Sequence, residues 1–148
     1  MSLRKPSRTS LPPRGIARIA AVVFLFVLLL IVAPANLGIG REYYGWWIES
    51  FPGNDILGHF FLMGALSFMV NYALSDRRFQ LSGLRLQLGS VGVAVFVAAE
   101  EFSQLFMAAR TFSLVDLAAD MTGIAFFGWL AATVSAREAA QAVENGPD

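Results

Sequence analysis

The side chains of this chain that could do chemistry stand near the ends of long apolar stretches. Nine of them form the candidate polar cluster: Asp55, His59, Glu100, Glu101, Gln104, Arg110, Ser113, Asp116 and Asp120. Asp55 and His59 are four residues apart, as are Asp116 and Asp120, so each pair shares one face of a helix. Charged side chains at membrane depth are costly and mark binding sites or ion pathways. These spacings therefore predict a binding pocket between helices.

The polar cluster carries more acids than bases. Its five carboxyl groups face only Arg110 and the titratable His59. In a medium of low dielectric constant, this imbalance requires protonation, contact with water or a bound cationic group. Glu100 and Glu101 are adjacent, so on a helix they point about 100° apart and only one can face the cluster. We expect Glu101 to face it, with Arg110 as its partner.

Residues of the polar cluster also have purely structural interpretations. Ser113 can cap a helix start, and Asp116 would complete a reciprocal capping box with it. Arg110 can clamp Glu101 or Asp116 through two parallel hydrogen bonds. His59 can form a hydrogen bond with a neighbouring helix. The sequence leaves these interpretations open beside ligand binding.

The composition is that of a membrane protein with one domain. The chain has 148 residues, 56% of them hydrophobic and 15% charged, with a mean hydropathy of +0.58 and no cysteine. Four apolar stretches have the roughly 20 residues that a helix needs to cross the hydrocarbon: 16–35, 56–74, 86–107 and 114–134. We therefore predict an all-α fold, a bundle of four transmembrane helices. Without cysteine, disulfides and thiolate metal sites are excluded.

The distribution of lysine and arginine predicts the orientation of this bundle. Nine of the eleven residues lie in or next to the amino-terminal tail, in the second loop and in the carboxyl tail, and only Arg41 and Arg110 lie in the other loops. Because positive residues are retained in the cytoplasm, both termini should be cytoplasmic. Residues 1–15 would then be a disordered basic cytoplasmic tail, 16–135 the membrane domain and 136–148 a short cytoplasmic tail.

The outer side of this arrangement holds the first loop and the polar cluster. The loop is rich in aromatic residues suited to the lipid headgroup level: Tyr43, Tyr44, Trp46, Trp47 and Phe51. The second and fourth helices start outside and the third ends there, so the polar cluster should lie just below the outer surface, with no polar residues continuing inward. The first helix, with its basic start and Ala33-Pro34-Ala35, also resembles a cleavable secretory signal.

One part of the pattern resembles a known family. The motif Glu100-Glu101-Phe102-Ser103-Gln104 is followed by Arg110-Thr111-Phe112-Ser113, Asp116 and Gly123, with Asp55 and His59 upstream. Over about residues 55–128 this closely resembles the VanZ-like family of small bacterial integral membrane proteins. The resemblance implies a multi-pass location in the bacterial inner membrane and a link to glycopeptide resistance, the phenotype of the founding member, whose biochemical activity is not agreed. The chain departs from the family at Ile56, where a lysine is usual, and at Asp120, where an asparagine is usual.

Three classes of function are compatible with the polar cluster. The preferred one is a non-enzymatic membrane protein that binds a lipid or glycan head group or an envelope partner protein, and a small proton- or ion-coupled transporter is the alternative. A membrane-embedded hydrolase is disfavoured because the chain has one histidine and no nucleophile motif. A zinc site from His59 and two acids is conceivable, but no spacing indicates its ligands. We therefore assign no catalytic residue, metal, cofactor or nucleic acid, and leave the oligomeric state open.

Overall fold

A computed structural model describes residues 13–38, 54–108 and 111–144. Within them the helices are α1 (Arg14–Asn36), α2 (Asn54–Ala73), α3 (Leu88–Ser103) and α4 (Leu114–Glu144), and a 3-10 turn, Gln104–Phe106, extends α3. Two short strands, β1 (Arg78–Leu81) and β2 (Leu84–Gln87), join α2 to α3. The predicted spans are confirmed, because four helical segments are long and apolar enough to cross a membrane.

The helix bounds differ from the predicted stretches in two places. α3 begins at Leu88, later than predicted, because Leu86 and Gln87 belong to β2. α4 continues past the end of its apolar stretch to Glu144, so much of the segment expected to be a tail is helical. The basic residues 1–12, the aromatic loop and Arg110 lie outside the described residues, and the predictions for them stay predictions.

The second loop, for which the sequence analysis predicted no strand, forms an antiparallel β-hairpin. Phe79 pairs with Leu86 in its register. Ser82 and Gly83 at the tip have φ angles of 49° and 84°. A two-residue type I′ turn requires positive φ at both positions, and glycine adopts it without strain. The end of the bundle that carries this hairpin is called the hairpin end, and the opposite end, where α2 and α4 begin, the cluster end.

The apolar core lies where the helices meet. Its buried side chains are Leu28, Met63, Leu66, Val93, Val97 and Ile124. α2 packs most extensively against α4, and α1 packs against α2. On α1, large apolar side chains such as Ile19 and Val22 are each 67% exposed. An apolar surface of this extent suits contact with lipid rather than with water.

Two glycines allow α2 and α4 to approach closely. A Cβ atom at Gly123 would lie closer than 3.0 Å to the backbone oxygen of Phe60, and one at Gly64 would meet the ring of Phe127 equally closely. Small residues have this role between membrane helices, where packing rather than the hydrophobic effect drives association. Gly92 on α3, by contrast, has open space around it and does not lie at such a contact.

A second buried polar group lies towards the hairpin end. This hairpin-end network consists of Ser67, Asn71, Gln87 and Ser90. The Asn71 amide donates to Ser90 Oγ at 2.8 Å, and its oxygen accepts the Ser90 backbone N–H at 3.2 Å. The expectation that no polar residues continue beyond the polar cluster is therefore wrong. The four-residue spacing of Ser67 and Asn71 was the signal in the sequence that could have revealed them.

Candidate functional site

Polar side chains from three helices meet at the cluster end of the bundle. They are Asp55 and His59 from α2, Glu100, Glu101 and Gln104 from the end of α3, and Ser113, Asp116 and Asp120 from the start of α4. Glu101 and Asp120 are each 1% exposed, so their carboxylates lie inside the bundle. The structure thus brings together every predicted member of the polar cluster that it describes.

His59 is held by Asp120 across the contact between α2 and α4. Its Nδ1 atom lies 3.1 Å from both carboxylate oxygens of Asp120. A carboxylate in its ionised form only accepts hydrogen bonds, so in that form Asp120 requires Nδ1 as the donor. The interpretation of His59 as a residue that bonds a neighbouring helix is therefore confirmed. In a neutral imidazole this leaves the lone pair on Nε2, on the other side of the ring.

The Nε2 side of His59 carries further carboxylates. Nε2 lies 3.7 Å from Asp55 Oδ1, which is beyond hydrogen-bond distance. One ligand atom from each of Asp55, His59 and Asp116 lies within 4.8 Å of the other two, an arrangement that could hold a metal ion. The Asp55 side chain is 47% exposed and that of His59 is 15% exposed, so the group opens outward at Asp55.

Gln104 joins the two adjacent glutamates. Its side-chain amide donates to Glu100 Oε1 at 3.0 Å and to Glu101 Oε2 at 3.2 Å. Glu101 is almost fully buried, whereas Glu100 is only partly buried. Glu101 is therefore the glutamate that faces into the bundle, as expected. Its expected partner Arg110 lies outside the described residues.

The start of α4 is capped by residues of two helices. Ser113 Oγ accepts the backbone N–H of Asp116 at 3.2 Å, which confirms Ser113 as the cap. The reciprocal bond to the Ser113 backbone N–H was expected from Asp116, but it comes from Glu101 Oε1 on α3. The expected capping box is therefore wrong in its second half. The Asp116 carboxylate lies instead in the group with Asp55 and His59.

An open apolar groove of about 440 Å³ runs beside these acids, between the starts of α2 and α4. Its lining includes Ile56, Leu57 and Phe60 of α2 and Val115, Ala118 and Ala119 of α4. Ile56 directly follows Asp55, and Val115 directly precedes Asp116. The groove and the acids therefore share the first turns of α2 and α4, on neighbouring faces of these helices.

The acidic excess persists in the part of the chain that the structure describes. There, the ion pairs of the cluster end all involve His59, which is charged only when protonated. Arg78 pairs with Asp76 at the hairpin end instead, at 2.8 Å. The arrangement is therefore suited to binding a positively charged group.

The fold and the site define a multi-pass membrane protein with a buried polar cluster at one end of its helices. Comparisons with protein-family models, with curated proteins and with solved structures found no match to this chain. The geometry of the site is therefore the basis on which a function can be argued.

Proposed function

We propose that this chain is a VanZ-like, non-enzymatic membrane protein that binds a lipid with an amine-bearing head group. In this proposal the head group contacts the polar cluster, and an acyl chain occupies the groove between α2 and α4. The observation that carries the proposal is the direct succession of acid and groove on both helices, at Asp55 and Ile56 on α2 and at Asp116 and Val115 on α4.

The chemistry of the cluster favours an ammonium group. Carboxylates only accept hydrogen bonds, and an ammonium group offers several N–H donors together with the opposite charge. Asp55 is exposed and Glu100 and Asp116 are only partly buried, so these acids are accessible to a head group. A glycan would leave the apolar groove unused, which is why a lipid is preferred to it.

The distribution of charge supports an outward-facing cluster in the bacterial inner membrane. The hairpin carries Arg78 and Arg85, and Arg18 donates from its Nε to the carbonyl of Ala73 at the last residue of α2, at 3.2 Å. The basic residues thus gather at the hairpin end, opposite the acids. Because basic ends are retained in the cytoplasm, the proposal keeps both termini cytoplasmic. A role in envelope stress or glycopeptide resistance follows from the resemblance alone.

The core argues for binding rather than for transport. Along α2, the buried residues Met63 and Leu66 separate His59 from Ser67 of the hairpin-end network. On α3, Val93 and Val97 likewise lie between the two polar groups. A proton or ion pathway needs polar groups or water at intervals along the helices. An apolar layer between two polar groups supports a site that opens at one end.

Lipid retention tests the proposal. The full chain is reconstituted with equal amounts of phosphatidylethanolamine and phosphatidylglycerol, washed extensively in detergent, and the retained lipid is identified by mass spectrometry. We expect retained phosphatidylethanolamine in several-fold excess, because the acids repel an anionic head group. Ala119→Trp fills the groove and should abolish retention.

The matched control is Ala125→Trp, which adds the same ring to α4 at an exposed position outside the groove. This variant should retain lipid as the unaltered chain does. Equal retention of both lipids by the unaltered chain, or normal retention by Ala119→Trp, contradicts the proposal.

A further inference from the structure

Three side chains of the polar cluster are arranged as the ligands of a metal ion could be. We propose that Asp55, His59 and Asp116 bind one zinc ion. One ligand atom from each lies within 4.8 Å of the other two. This inference goes beyond the proposed function and does not depend on it, because the three side chains can hold the ion with or without a lipid.

The distances suit a single ion shared by the three side chains. Zinc–ligand bonds of about 2.0–2.2 Å place the ligands of a tetrahedral site about 3.4 Å apart. His59 Nε2 and Asp55 Oδ1 are 3.7 Å apart, too far for a hydrogen bond but close to that separation. Asp55 is half exposed, so its side chain has the freedom to complete the approach.

Asp120 orients the His59 ring for binding a metal ion. It accepts the Nδ1 proton at 3.1 Å, which fixes the ring and leaves Nε2 as the basic nitrogen. Histidines that bind metals commonly donate their other N–H to a carboxylate, which orients the ring and increases its basicity. Asp120 is 1% exposed, so its carboxylate is committed to this interaction inside the bundle. It is a positioning residue rather than a ligand.

Asp116 is free to act as a ligand because Glu101 fills its capping role. In a capping box the acid three residues after the cap binds the N–H of the cap residue. Here Glu101 accepts the Ser113 N–H instead. One carboxylate oxygen of Asp116 lies within 4.8 Å of the ligand atoms of Asp55 and His59. Two ligands from α2 and one from α4 thus converge.

The charge of the site favours a divalent cation. Asp55, Asp116 and Asp120 lie around the imidazole of His59. A divalent ion offsets two of these negative charges, and the low dielectric constant around them strengthens the attraction. The starts of α2 and α4 carry the positive ends of helix dipoles, which favour anions. The carboxylates must therefore supply the attraction for the ion.

The combination of imidazole and carboxylate ligands indicates which metal ion the site would bind. Magnesium and calcium prefer oxygen ligands alone, whereas imidazole together with carboxylate suits zinc and related transition metals. Three protein ligands also leave one tetrahedral position for water or for an oxygen atom of a head group. The site therefore has the composition of an open zinc site rather than of a closed structural one.

Zinc binding to the purified full chain tests the proposal. The chain, without an affinity tag, is treated with a chelator in detergent, freed of the chelator and titrated with zinc chloride by calorimetry, with bound zinc counted by mass spectrometry. We expect one zinc ion per chain. Asp55→Asn and Asp116→Asn should each abolish stoichiometric binding, and Asp120→Asn should weaken binding by about 10- to 100-fold because it only orients His59.

Asp76→Asn is the matched control, because Asp76 is a partly buried acid at the hairpin end that pairs with Arg78. It should bind zinc as the unaltered chain does. Circular dichroism and size-exclusion elution establish that each variant is folded. A folded, unaltered chain that binds no zinc overturns the proposal, as does unchanged affinity in both Asp55→Asn and Asp116→Asn. An unaltered chain that retains phosphatidylethanolamine but binds no zinc refutes the metal site alone, and one that binds zinc but shows no selective lipid retention refutes lipid binding alone.

Discussion

Glu101 accepts the backbone N–H of Ser113, the residue that caps α4. A capping box normally takes its acid from the same helix, three residues after the cap. Here the acid comes from α3, so the bond joins two helices across the loop between them. A buried N–H without an acceptor costs about 1–3 kcal/mol, so Glu101 stabilises this junction.

The role of Glu101 as an acceptor predicts the effects of two substitutions. Glu101→Ala removes the acceptor and should lower the free energy of unfolding by about 1–3 kcal/mol. Glu101→Gln keeps an oxygen at the same position and should recover most of that loss. The measurement is reversible unfolding in mixed detergent micelles.

The neighbouring glutamate is the control for this pair of variants. Glu100 is only partly buried and bonds to Gln104, whose amide also bonds to Glu101. Glu100→Ala should therefore cost less stability than Glu101→Ala. If Glu101→Gln is as unstable as Glu101→Ala, the hydrogen bond to Ser113 is not the source of the stability.

At the scale of helices, the contact between α2 and α4 sets the geometry of the site. It brings His59 against Asp120 and places Asp55 near Asp116. Gly123, one turn after Asp120 on α4, lies against the backbone of Phe60, the residue after His59. A change in the spacing of these helices therefore alters the hydrogen bond that orients His59.

A methyl group at Gly123 tests this close contact. Gly123→Ala places a Cβ atom against the rigid backbone oxygen of Phe60, so we expect a loss of about 1–3 kcal/mol in the free energy of unfolding. Gly92→Ala is the matched control, because the space around Gly92 is open. It should stabilise α3 by about 0.5–1 kcal/mol, as alanine does relative to glycine in a helix. Equal effects of the two variants in the same unfolding assay would show that the close approach is unimportant.

At the scale of the whole molecule, the acids of the polar cluster and the arginines of the hairpin lie at opposite ends. The acids of the polar cluster lie where α2 and α4 begin, and Arg78 and Arg85 lie in the hairpin. From this separation the positive-inside rule predicts that the hairpin lies in the cytoplasm. The sequence analysis applied the same rule to the loops. The structure adds that Arg18, Arg78 and Arg85 all lie at the hairpin end.

Single cysteines can test the orientation, because the chain has none of its own. Thr111 at the cluster end and Gln80 in β1 are both exposed. In intact cells, a maleimide that does not cross membranes should label Thr111→Cys, and it should label Gln80→Cys only after the membrane is opened. The opposite pattern would reverse the proposed topology.

The parts of the fold that could be predicted depend on local sequence. The four helices could be predicted because the apolar stretches are long enough to span a membrane. The cap at Ser113 could be predicted because this residue directly precedes an apolar stretch. The hairpin was not predicted, although Phe79, Leu81, Leu84 and Leu86 alternate with polar residues, because strands of four residues are too short for alternation to be distinctive. The buried Asn71 and Ser67 were missed because isolated small polar residues are common in membrane helices and carry no charge.

For the candidate site, spacing along each helix was enough to group Asp55 with His59 and Glu101 with Gln104, since neighbours on a helix follow from its repeat. The contacts between side chains of different helices could not be predicted in this way. That His59 bonds Asp120, that Glu101 rather than Asp116 completes the cap, and that Asp116 faces Asp55 depend on how α2, α3 and α4 pack. Membrane insertion and helix formation are set by short segments, whereas the identity of a side chain's partner is set by contacts between segments far apart in the chain.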